Sequence, residues 1–195
     1  MTELLYQTDS YLRTFDAVVV RVDTDNHALV LDQSAFYPTG GGQPGDLGTL
    51  TIDGQTRSVI KVKKAGSEVL HYLAPDAPLP EAGARIQGEI DWQRRYQLMR
   101  THTALHILCG VIFRDYGAPV TGGDMDPLEG RMDFEFETMH KELVEEIEAA
   151  VNKEVAADRA VRVSILPRDV AFQIPDLIRT KINLLPEGIS HVRTV

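Results

Sequence analysis

The sequence predicts an α+β fold in two parts, an N-terminal small β-barrel (residues 1–90) and a C-terminal domain of strands and helices (residues 91–195). Three observations support this prediction. Short strand-like runs follow one another closely in the first part, without a helical period. At Asp91 the pattern changes to apolar residues at helical spacing. Beyond residue 130, strand-like alternation returns beside a second helical pattern, which is typical of a sheet combined with helices.

The strands of the first part are marked by β-branched and other apolar residues between turns. Two runs, 17–22 and 28–32, flank a polar turn and predict a hairpin. The run GTLTIDGQTRSVIKVKK, residues 48–64, predicts a second hairpin, because alternating residues surround Asp53-Gly54, a dipeptide suited to a type I′ turn. Further short strands are predicted at 69–73 and 85–90. Short strands at this spacing are typical of a small barrel.

The second part begins with a long helix, for which Asp91 is a candidate N-cap and Gly117 a candidate stop. The apolar residues at helical spacing between them are Leu98, Leu105, Leu108, Ile112 and Phe113. A second, amphipathic helix is predicted at roughly 139–157. Strands are predicted in RMDFEFE (131–137), VRVSIL (161–166) and SHVRTV (190–195).

The composition is that of an ordinary globular protein, with 43% hydrophobic and 25% charged residues. No run has the length of an apolar membrane span, and the N-terminus lacks the apolar stretch of a signal peptide. A single cysteine, Cys109, excludes an internal disulfide framework and favours a reducing cytoplasm. The net charge of −9 argues against nonspecific coating of nucleic acid but is compatible with a local basic patch that binds RNA.

Two of the six histidines, His102 and His106, lie four residues apart and therefore on one face of the predicted helix. Neutral imidazole suits Zn²⁺, and two ring nitrogens at this spacing can bind one ion. The residue after the first histidine is Thr103, so the general base of an HExxH motif is lacking. Cys109 lies about 10.5 Å farther along the helix than His102, too far to bind the same ion. Two alternatives stay open, a partial metal site or two ordinary helix histidines.

The stretch AFYPTGGGQPGDLGTL, residues 35–50, is unusually rich in glycine. Its glycines are Gly40, Gly41, Gly42, Gly45 and Gly48. The aromatic and hydrogen-bonding side chains around them are Phe36, Tyr37, Thr39 and Gln43. A backbone that reaches positive φ and approaches a ligand closely, beside such groups, suits a small binding pocket. The stretch does not match a P-loop, and an ordinary glycine-rich connection between strands is the alternative.

Taken together, FYPTGGGQPGDLG, RTHTALHIL on the long helix and RMDFEFE after it resemble the alanyl-tRNA editing family, the AlaX proteins. These are free-standing relatives of the editing domain of alanyl-tRNA synthetase. The resemblance covers nearly the whole chain, and it implies a β-barrel packed on an α/β editing domain with the site between them. It also implies hydrolysis, without ATP, of the ester that joins serine or glycine to tRNA specific for alanine. No segment resembles an aminoacylation core.

The resemblance further implies a zinc site, in which the family's HxxxH motif matches His102 and His106. The family's other two ligands are a Cys/His pair in a CxGxH-like segment, shortly after a strand that resembles HVRTV. The sequence stops at Val195 without such a pair. We therefore expect the second half of the site to lie beyond this sequence, with the C-terminal domain truncated; the alternative is that the metal is bound incompletely.

The family's threonine before the glycine run contributes to substrate recognition, and Thr39 occupies that place. We expect its hydroxyl to meet that of serine, because a site that hydrogen-bonds a hydroxyl discriminates better than an apolar cavity. Backbone N–H groups of Gly40–Gly42 would approach the ester, while Gln43 and Asp46 would hold the loop or the terminal adenosine. Thr39 and Gln43 are thus the candidate catalytic residues. Zinc would polarise the ester, activate a water or anchor the amino group.

RNA must find a positive surface on this acidic chain. Arg94, Arg95 and Arg100 precede the histidines and would contact phosphates, and Trp92 and Tyr96 would stack on bases. A second basic group in the first part consists of Lys61, Lys63 and Lys64. A solvated face is the alternative for both groups.

Two other functional classes stay open beside the editing enzyme. One is a non-catalytic module, or incomplete editing fragment, that binds aminoacylated tRNA without turnover. The other is a metallohydrolase of small esters, which the histidine pair permits but the glycine loop does not favour. The sequence indicates no membrane partner and no particular oligomeric state.

Overall fold

The computed structural model describes residues 1–136, 138, 140–183, 185 and 187–195, and in them the predicted α+β fold class is confirmed. The chain divides into two compact units. The first unit comprises Met1–Arg100 and Met125–Glu129, and the second comprises Thr101–Asp124 and Gly130–Val195. The predicted boundary near residue 90 and the assignment of residues 91–195 to one editing domain stay predictions.

The first unit contains a closed six-stranded barrel, as the spacing of the strands predicts. Its strands are β1 (Glu3–Leu4), β2 (Thr14–Asp23), β3 (Ala28–Leu31), β4 (Gln33–Ser34), β5 (Gly48–Ile52), β6 (Gln55–Ala65), β7 (Glu68–Leu73) and β8 (Arg85–Ile90). The order around the barrel is β2-β3-β7-β6-β5-β8, and each neighbouring pair is antiparallel. The short strands β1 and β4 pair in parallel outside the barrel, and a single 3₁₀ turn (Leu5–Gln7) follows β1.

The second barrel hairpin turns where the sequence predicts. Asp53 and Gly54 have φ angles of +50° and +74°. Positive φ at both central residues characterises a type I′ turn. Alternation along the strands directs apolar side chains inward, and the fully buried ones include Leu29, Leu31, Leu50 and Ile52. The barrel therefore follows from local patterns in the sequence.

One histidine, His71, is completely buried in the first unit. Its Nδ1 lies 3.1 Å from the Leu29 carbonyl oxygen, and its Nε2 lies 2.7 Å from Ser34 Oγ. Burial lowers the pKa of His71 to about 4, so the ring is neutral near pH 7. Because a carbonyl oxygen only accepts, Nδ1 carries the proton and Nε2 accepts the Ser34 hydroxyl. The serine oxygen in turn accepts the Phe36 N–H at 3.1 Å, so His71 supports the beginning of the glycine-rich stretch.

Helix α1 (Trp92–Tyr116) begins and ends as predicted. The carboxylate of Asp91 accepts the Arg94 N–H at 3.0 Å, which is an N-cap contact. Gly117 has a φ of +65°, the left-handed conformation common after the last helical residue. Residues of α1 up to Arg100 belong to the first unit, and the remainder belongs to the second. Among the described residues, no helix combines the length and apolar character needed to cross a membrane.

The described residues of the second unit form two small sheets and two further helices. Its elements are β9 (Val120–Asp126, whose last two residues belong to the first unit), β10 (Glu129–Phe134, whose first residue belongs to the first unit), α2 (Lys141–Ala156), β11 (Ser164–Pro167), α3 (Arg168–Ala171) and β12 (His191–Thr194). Strand β9 pairs with β10, and β11 pairs antiparallel with β12. The sequence does not predict β9, because its glycines and aspartates lack a strand pattern and the pairing with β10 imposes the extended backbone.

The other predicted elements of the second unit are shorter than expected, and the sequence does not predict α3. Strand β10 stops at Phe134 instead of continuing to residue 137, and β11 covers only the end of the predicted run 161–166. Two predicted positions lie outside the described residues. They are Glu137, the last residue of the predicted strand, and Met139, the first residue of the predicted helix. On α2 the predicted apolar stripe packs against Ile112 and Ala118 through Leu143, Ile147 and Val151. Val155, which the same spacing places on this stripe, is exposed.

Candidate functional site

The glycine-rich stretch folds into a tight hairpin at Gly40–Gln43. The Gly40 N–H donates to the Gln43 carbonyl at 3.0 Å, and the Gln43 N–H donates back at 3.1 Å. The two residues between them, Gly41 and Gly42, have φ angles of +62° and +78°. Glycine adopts this pair of angles at little cost, whereas an L side chain is strained there. We call residues 39–43 the threonine–glycine hairpin; its glycines are exposed and their backbone is open to a ligand.

Two hydrogen bonds hold Thr39 in place, one through its backbone and one through its side chain. Its N–H donates to the Val62 carbonyl at 3.0 Å, and its Oγ1 accepts the Gly45 N–H at 3.0 Å. A Cβ atom at Gly45 would lie 2.9 Å from Thr39 Oγ1, closer than real Cβ atoms approach, and 3.1 Å from the Val62 carbonyl oxygen, which is also tight. Gly45 is therefore required for this close approach. The contact fixes the Thr39 hydroxyl as an acceptor for Gly45 and leaves its hydrogen able to donate to a substrate.

A buried ion pair joins this stretch to α1. Arg95 Nε donates to both carboxylate oxygens of Asp46, at 2.9 and 3.0 Å, and Nη2 also contacts Asp46. The remaining guanidinium contacts are Nη1 to the Ser10 carbonyl at 3.0 Å and Nη2 to the Ala35 carbonyl at 2.6 Å. The Asp46 carboxylate also accepts the Tyr37 N–H at 2.5 Å. Both side chains are at least 96% buried, with 4% and 1% of their surface exposed.

This burial bears on the roles expected for both residues of the charged pair. Of the two roles expected for Asp46, holding the loop fits the structure, because the carboxylate is enclosed and cannot reach adenosine without rearrangement. The phosphate contact expected for Arg95 does not fit, because its guanidinium is enclosed and already donates to Asp46, Ser10 and Ala35. Since a buried charge is costly to leave unpaired, both residues are placed to hold the loop in position.

The other arginines of this group remain accessible. Arg100 is exposed, and Arg94 is half-buried with Nη2 3.5 Å from the Gly45 carbonyl. The buried Nε of Arg94 has no hydrogen-bond partner among the described residues. Arg94 borders a shallow cavity of about 270 Å³ that is also lined by Leu47, Asp91, Gln93, Gln97 and Pro127. A phosphate or water in this cavity would satisfy the orphaned N–H.

An aromatic cluster lies at the beginning of α1. The Trp92 ring is 5.8 Å from that of Tyr96 and 5.6 Å from that of Tyr11, and the Arg13 guanidinium lies 4.3 Å from the Trp92 ring. Both tyrosines are exposed. Exposed aromatic rings beside a cation are suited to stack on unpaired bases. The three lysines expected to form a second basic group, Lys61, Lys63 and Lys64, are exposed on β6.

The two histidines of α1 meet as their spacing predicts. The Nε2 atoms of His102 and His106 are 3.1 Å apart, and the rings are stacked with centroids 4.8 Å apart. Two nitrogens at this distance can both bind one ion with zinc–nitrogen bonds of about 2.0–2.1 Å. Both rings are exposed at the helix surface but still lose part of their hydration, which lowers the pKa of each. The neutral ring that results is the form that binds a metal.

Positively charged neighbours also lower the pKa values of the two histidines. Besides burial and the charge of His106, Arg193 lowers the pKa of His102, and Arg179 lowers that of His106. Cys109 is half-buried, and burial raises the pKa of its thiol. Within the described part of the chain, no group of three or more His, Cys, Asp or Glu side chains could hold one ion. The histidine pair therefore fits two coordination positions of a metal.

Two further features near these groups lack a sequence signal. Arg179 and Arg193 lie far along the chain from the histidines. Arg179 lies in a segment without a recognisable motif, and the strand pattern of HVRTV does not mark Arg193 as a neighbour of His102. The Met125 N–H donates to the Gly42 carbonyl at 3.1 Å, which brings the β9–β10 turn to the threonine–glycine hairpin. A single arginine or a backbone contact leaves no spacing pattern, so neither could be found from the sequence.

Comparison with known proteins gives a consistent result. Residues 10–94 match the family model described as tRNA synthetases class II (A). The alanyl-tRNA editing protein AlaX-M of Methanosarcina acetivorans is 39% identical over 201 residues, covering 100% of this chain and 82% of that protein. AlaX-M of Saccharolobus solfataricus is 37% identical over 92% of this chain and 75% of its own length. An alanine–tRNA ligase of Pyrobaculum neutrophilum is 42% identical over 87% of this chain, but the match covers 19% of the ligase.

Proposed function

Since the chain belongs to the AlaX-M family of alanyl-tRNA editing proteins, we propose that it hydrolyses the ester joining serine or glycine to tRNA specific for alanine. The observation that carries this proposal is the fixed Thr39 hydroxyl, which accepts the Gly45 amide beside an exposed glycine turn. This arrangement offers a hydrogen-bond donor to a small polar amino acid. The reaction consumes water and needs no ATP, and we place it in the cytoplasm, where tRNA is charged.

Selection of serine over alanine depends on one hydroxyl group. An apolar cavity rejects an added hydroxyl poorly, whereas a donor placed to meet it recognises it well. In the proposal, Thr39 donates its hydroxyl hydrogen to the seryl oxygen. Its rotamer is fixed beforehand by Gly45, so little side-chain entropy is lost on binding. Glycine fits the same site because it is small, without using this hydrogen bond.

The glycine turn supplies backbone donors for the ester. The two cross-strand hydrogen bonds of the hairpin use the N–H groups of Gly40 and Gln43. In the described residues, neither the Gly41 N–H nor the Gly42 N–H donates a hydrogen bond to a backbone carbonyl of a turn or loop. We assign these two amides to the ester carbonyl, where charge develops during hydrolysis. Gln43 closes the hairpin through its backbone, and its side chain is assigned to the loop or to the terminal adenosine.

His102 and His106 are assigned to a zinc ion. Their Nε2 atoms are close enough for one ion, and both rings are neutral near pH 7 because their pKa values are lowered. Zinc bound there would supply Lewis-acid chemistry for ester hydrolysis. The chain's own contribution is to hold two ligands in a fixed orientation on one helix.

RNA binding is assigned to the exposed surface at the beginning of α1. Arg94 and Arg100 contact phosphates, and Trp92 and Tyr96 stack on bases. Support comes from the orphaned Nε of Arg94 and from the exposed aromatic cluster. The lysines of β6 are a second candidate contact.

The test compares release of serine and of glycine from tRNA specific for alanine by the wild-type chain, Thr39→Val and Thr39→Ser. Loss of one hydrogen bond predicts that Thr39→Val releases serine about tenfold more slowly, with a smaller change for glycine. Thr39→Ser keeps a hydroxyl and should restore most of the serine activity.

Glycine release is the control for structure, because Thr39→Val also removes the acceptor of the Gly45 amide. A parallel fall in both activities would show a damaged hairpin, and an unchanged serine rate would refute the recognition role. Tight binding of seryl-tRNA without turnover by the wild-type chain would instead support the non-catalytic module.

A further inference from the structure

The histidine pair belongs to a longer stripe on α1. His102, His106 and Gly110 recur every four residues and therefore lie on one face of the helix, one turn apart. Phe113 continues this face. Glycine inside a helix costs about 1 kcal/mol relative to alanine, so Gly110 calls for a reason in the packing around it.

The side chain of Arg179 packs against this position. A Cβ atom at Gly110 would lie 3.3 Å from Arg179 Nη1, a tight contact that a small shift of this flexible side chain would relieve, so the guanidinium lies close to the helix backbone at Gly110. The guanidinium carbon is 5.8 Å from the Phe113 ring, a cation–π distance. The guanidinium therefore lies against the helix at Gly110, one turn beyond His106.

The backbone around Arg179 is also held. Its carbonyl accepts the Val120 N–H at 2.9 Å, and the Lys181 N–H donates to the Val120 carbonyl at 2.9 Å. Its Nε lies 3.3 Å from the Asp176 carbonyl. Arg179 is nevertheless exposed, and within the described parts of the chain no ion pair involves it. In a chain of net charge −9, a fixed, accessible and uncompensated cation is suited to bind an anion.

We propose that Arg179 binds the phosphate of the 3′-terminal nucleotide while its aminoacyl ester lies at His102 and His106. This inference rests on the proposed function. One helical turn rises about 5.4 Å, which is close to the separation between the 3′-oxygen of a ribose and its own 5′-phosphate. The guanidinium fork matches two phosphate oxygens. Arg179 is thus a positioning residue that sets the terminal nucleotide against the histidines.

The experiment uses two non-hydrolysable probes, 3′-serylamido-3′-deoxyadenosine with and without a 5′-phosphate. Their dissociation constants are measured by calorimetry for the whole chain. The wild-type chain should prefer the phosphorylated probe by roughly tenfold or more, because the bond joins two charged groups. Arg179→Gln should abolish this preference and leave the affinity for the unphosphorylated probe unchanged.

A second variant tests the contact between the Arg179 guanidinium and Gly110 without removing the charge. Gly110→Leu places a side chain where the guanidinium rests, so it should also reduce the preference for phosphate. Arg159→Gln is the matched control, because Arg159 is an exposed arginine whose Nε pairs with Glu154 at 2.7 Å. Its phosphate preference should equal that of the wild-type chain.

A wild-type chain with no preference for the phosphorylated probe would overturn the inference, as would an Arg179→Gln variant that retains it. Deacylation of seryl-tRNA is measured separately on the same proteins. Lack of turnover with an intact, Arg179-dependent phosphate preference would contradict the proposed hydrolase alone. Turnover without that preference would contradict the inference alone.

Discussion

Two polar groups on helix α1, Arg95 in its first half and the histidine pair in its second, are placed in opposite ways. In the first half, Arg95 is buried and its guanidinium donates to Asp46, Ser10 and Ala35. In the second half, His102 and His106 are exposed and contact each other through their ring nitrogens. The Arg95 guanidinium completes its hydrogen bonds within the chain, whereas the histidine pair offers ligand atoms outward.

This contrast separates folding from binding. A buried, fully bonded ion pair makes little net contribution to stability, but removing one partner is costly because the other charge stays buried. The exposed histidines can change without such a cost. Substitutions in the Arg95–Asp46 pair should therefore act through the fold, and substitutions of His102 or His106 should act through ligand binding.

The largest effect is expected for Asp46→Ala. The variant leaves the Arg95 guanidinium buried without its carboxylate and should lose about 3–5 kcal/mol of unfolding free energy. Urea unfolding measures this loss. The control is Glu68→Ala, which breaks the exposed pair with Arg21 and should cost much less. Equal losses in the two variants would show that burial does not distinguish the pairs.

A smaller loss of unfolding free energy is expected for Gly45→Ala, and Gly40→Ala nearby in sequence is its control. Gly45→Ala forces a Cβ atom against Thr39 Oγ1 and the Val62 carbonyl, and overpacking of this kind costs about 1–3 kcal/mol. Gly40→Ala meets nothing within 4 Å and should unfold like the wild-type chain.

Serine release should fall in both glycine variants if a ligand approaches the hairpin backbone. In Gly45→Ala the hairpin shifts, and in Gly40→Ala the new methyl group occupies the approach. Unfolding in urea and deacylation of seryl-tRNA are compared on the same preparations. A fully active Gly40→Ala variant would show that no ligand contacts that face of the hairpin.

The smallest effect on folding is expected for His102→Ala and His106→Ala. Both rings are exposed, so unfolding in urea should change little, whereas zinc binding measured by calorimetry should be lost in each variant. His140→Ala is the control, because His140 is exposed and caps α2 by accepting the Leu143 N–H at 3.2 Å. Retained zinc binding in both single variants would disprove the metal assignment.

The lowered pKa values of the two histidines predict how zinc binding depends on pH. The pKa values of His102 and His106 are lowered from 6.5 by loss of hydration, so the neutral ligand form persists below pH 6.5. Zinc affinity should therefore hold at pH 6.5 and fall only as the pH drops through the lowered values. The lowered values also mean that the folded chain loses stability as the pH falls, because the unfolded chain takes up protons first.

Most of the regular structure could be predicted, because its signals are local. The turn at Asp53-Gly54, the cap at Asp91 and the stop at Gly117 each depend on residues within a few positions. Strand β9 could not be predicted, because its extended backbone depends on pairing with β10 and not on its own residues. The contact between His102 and His106 is local too, since one turn of helix brings them together.

The sequence by itself determined the barrel, the long helix, the glycine-rich stretch as a candidate binding loop and the family, because each depends on short-range patterns or on motifs in a fixed order. Only the tertiary structure decided which polar groups meet across long stretches of chain. Arg95 pairs with Asp46 across 49 residues of sequence. The physical reason is that a buried charge needs a partner but does not specify where in the sequence that partner lies. Burial thus turned an expected RNA contact, Arg95, into part of the scaffold.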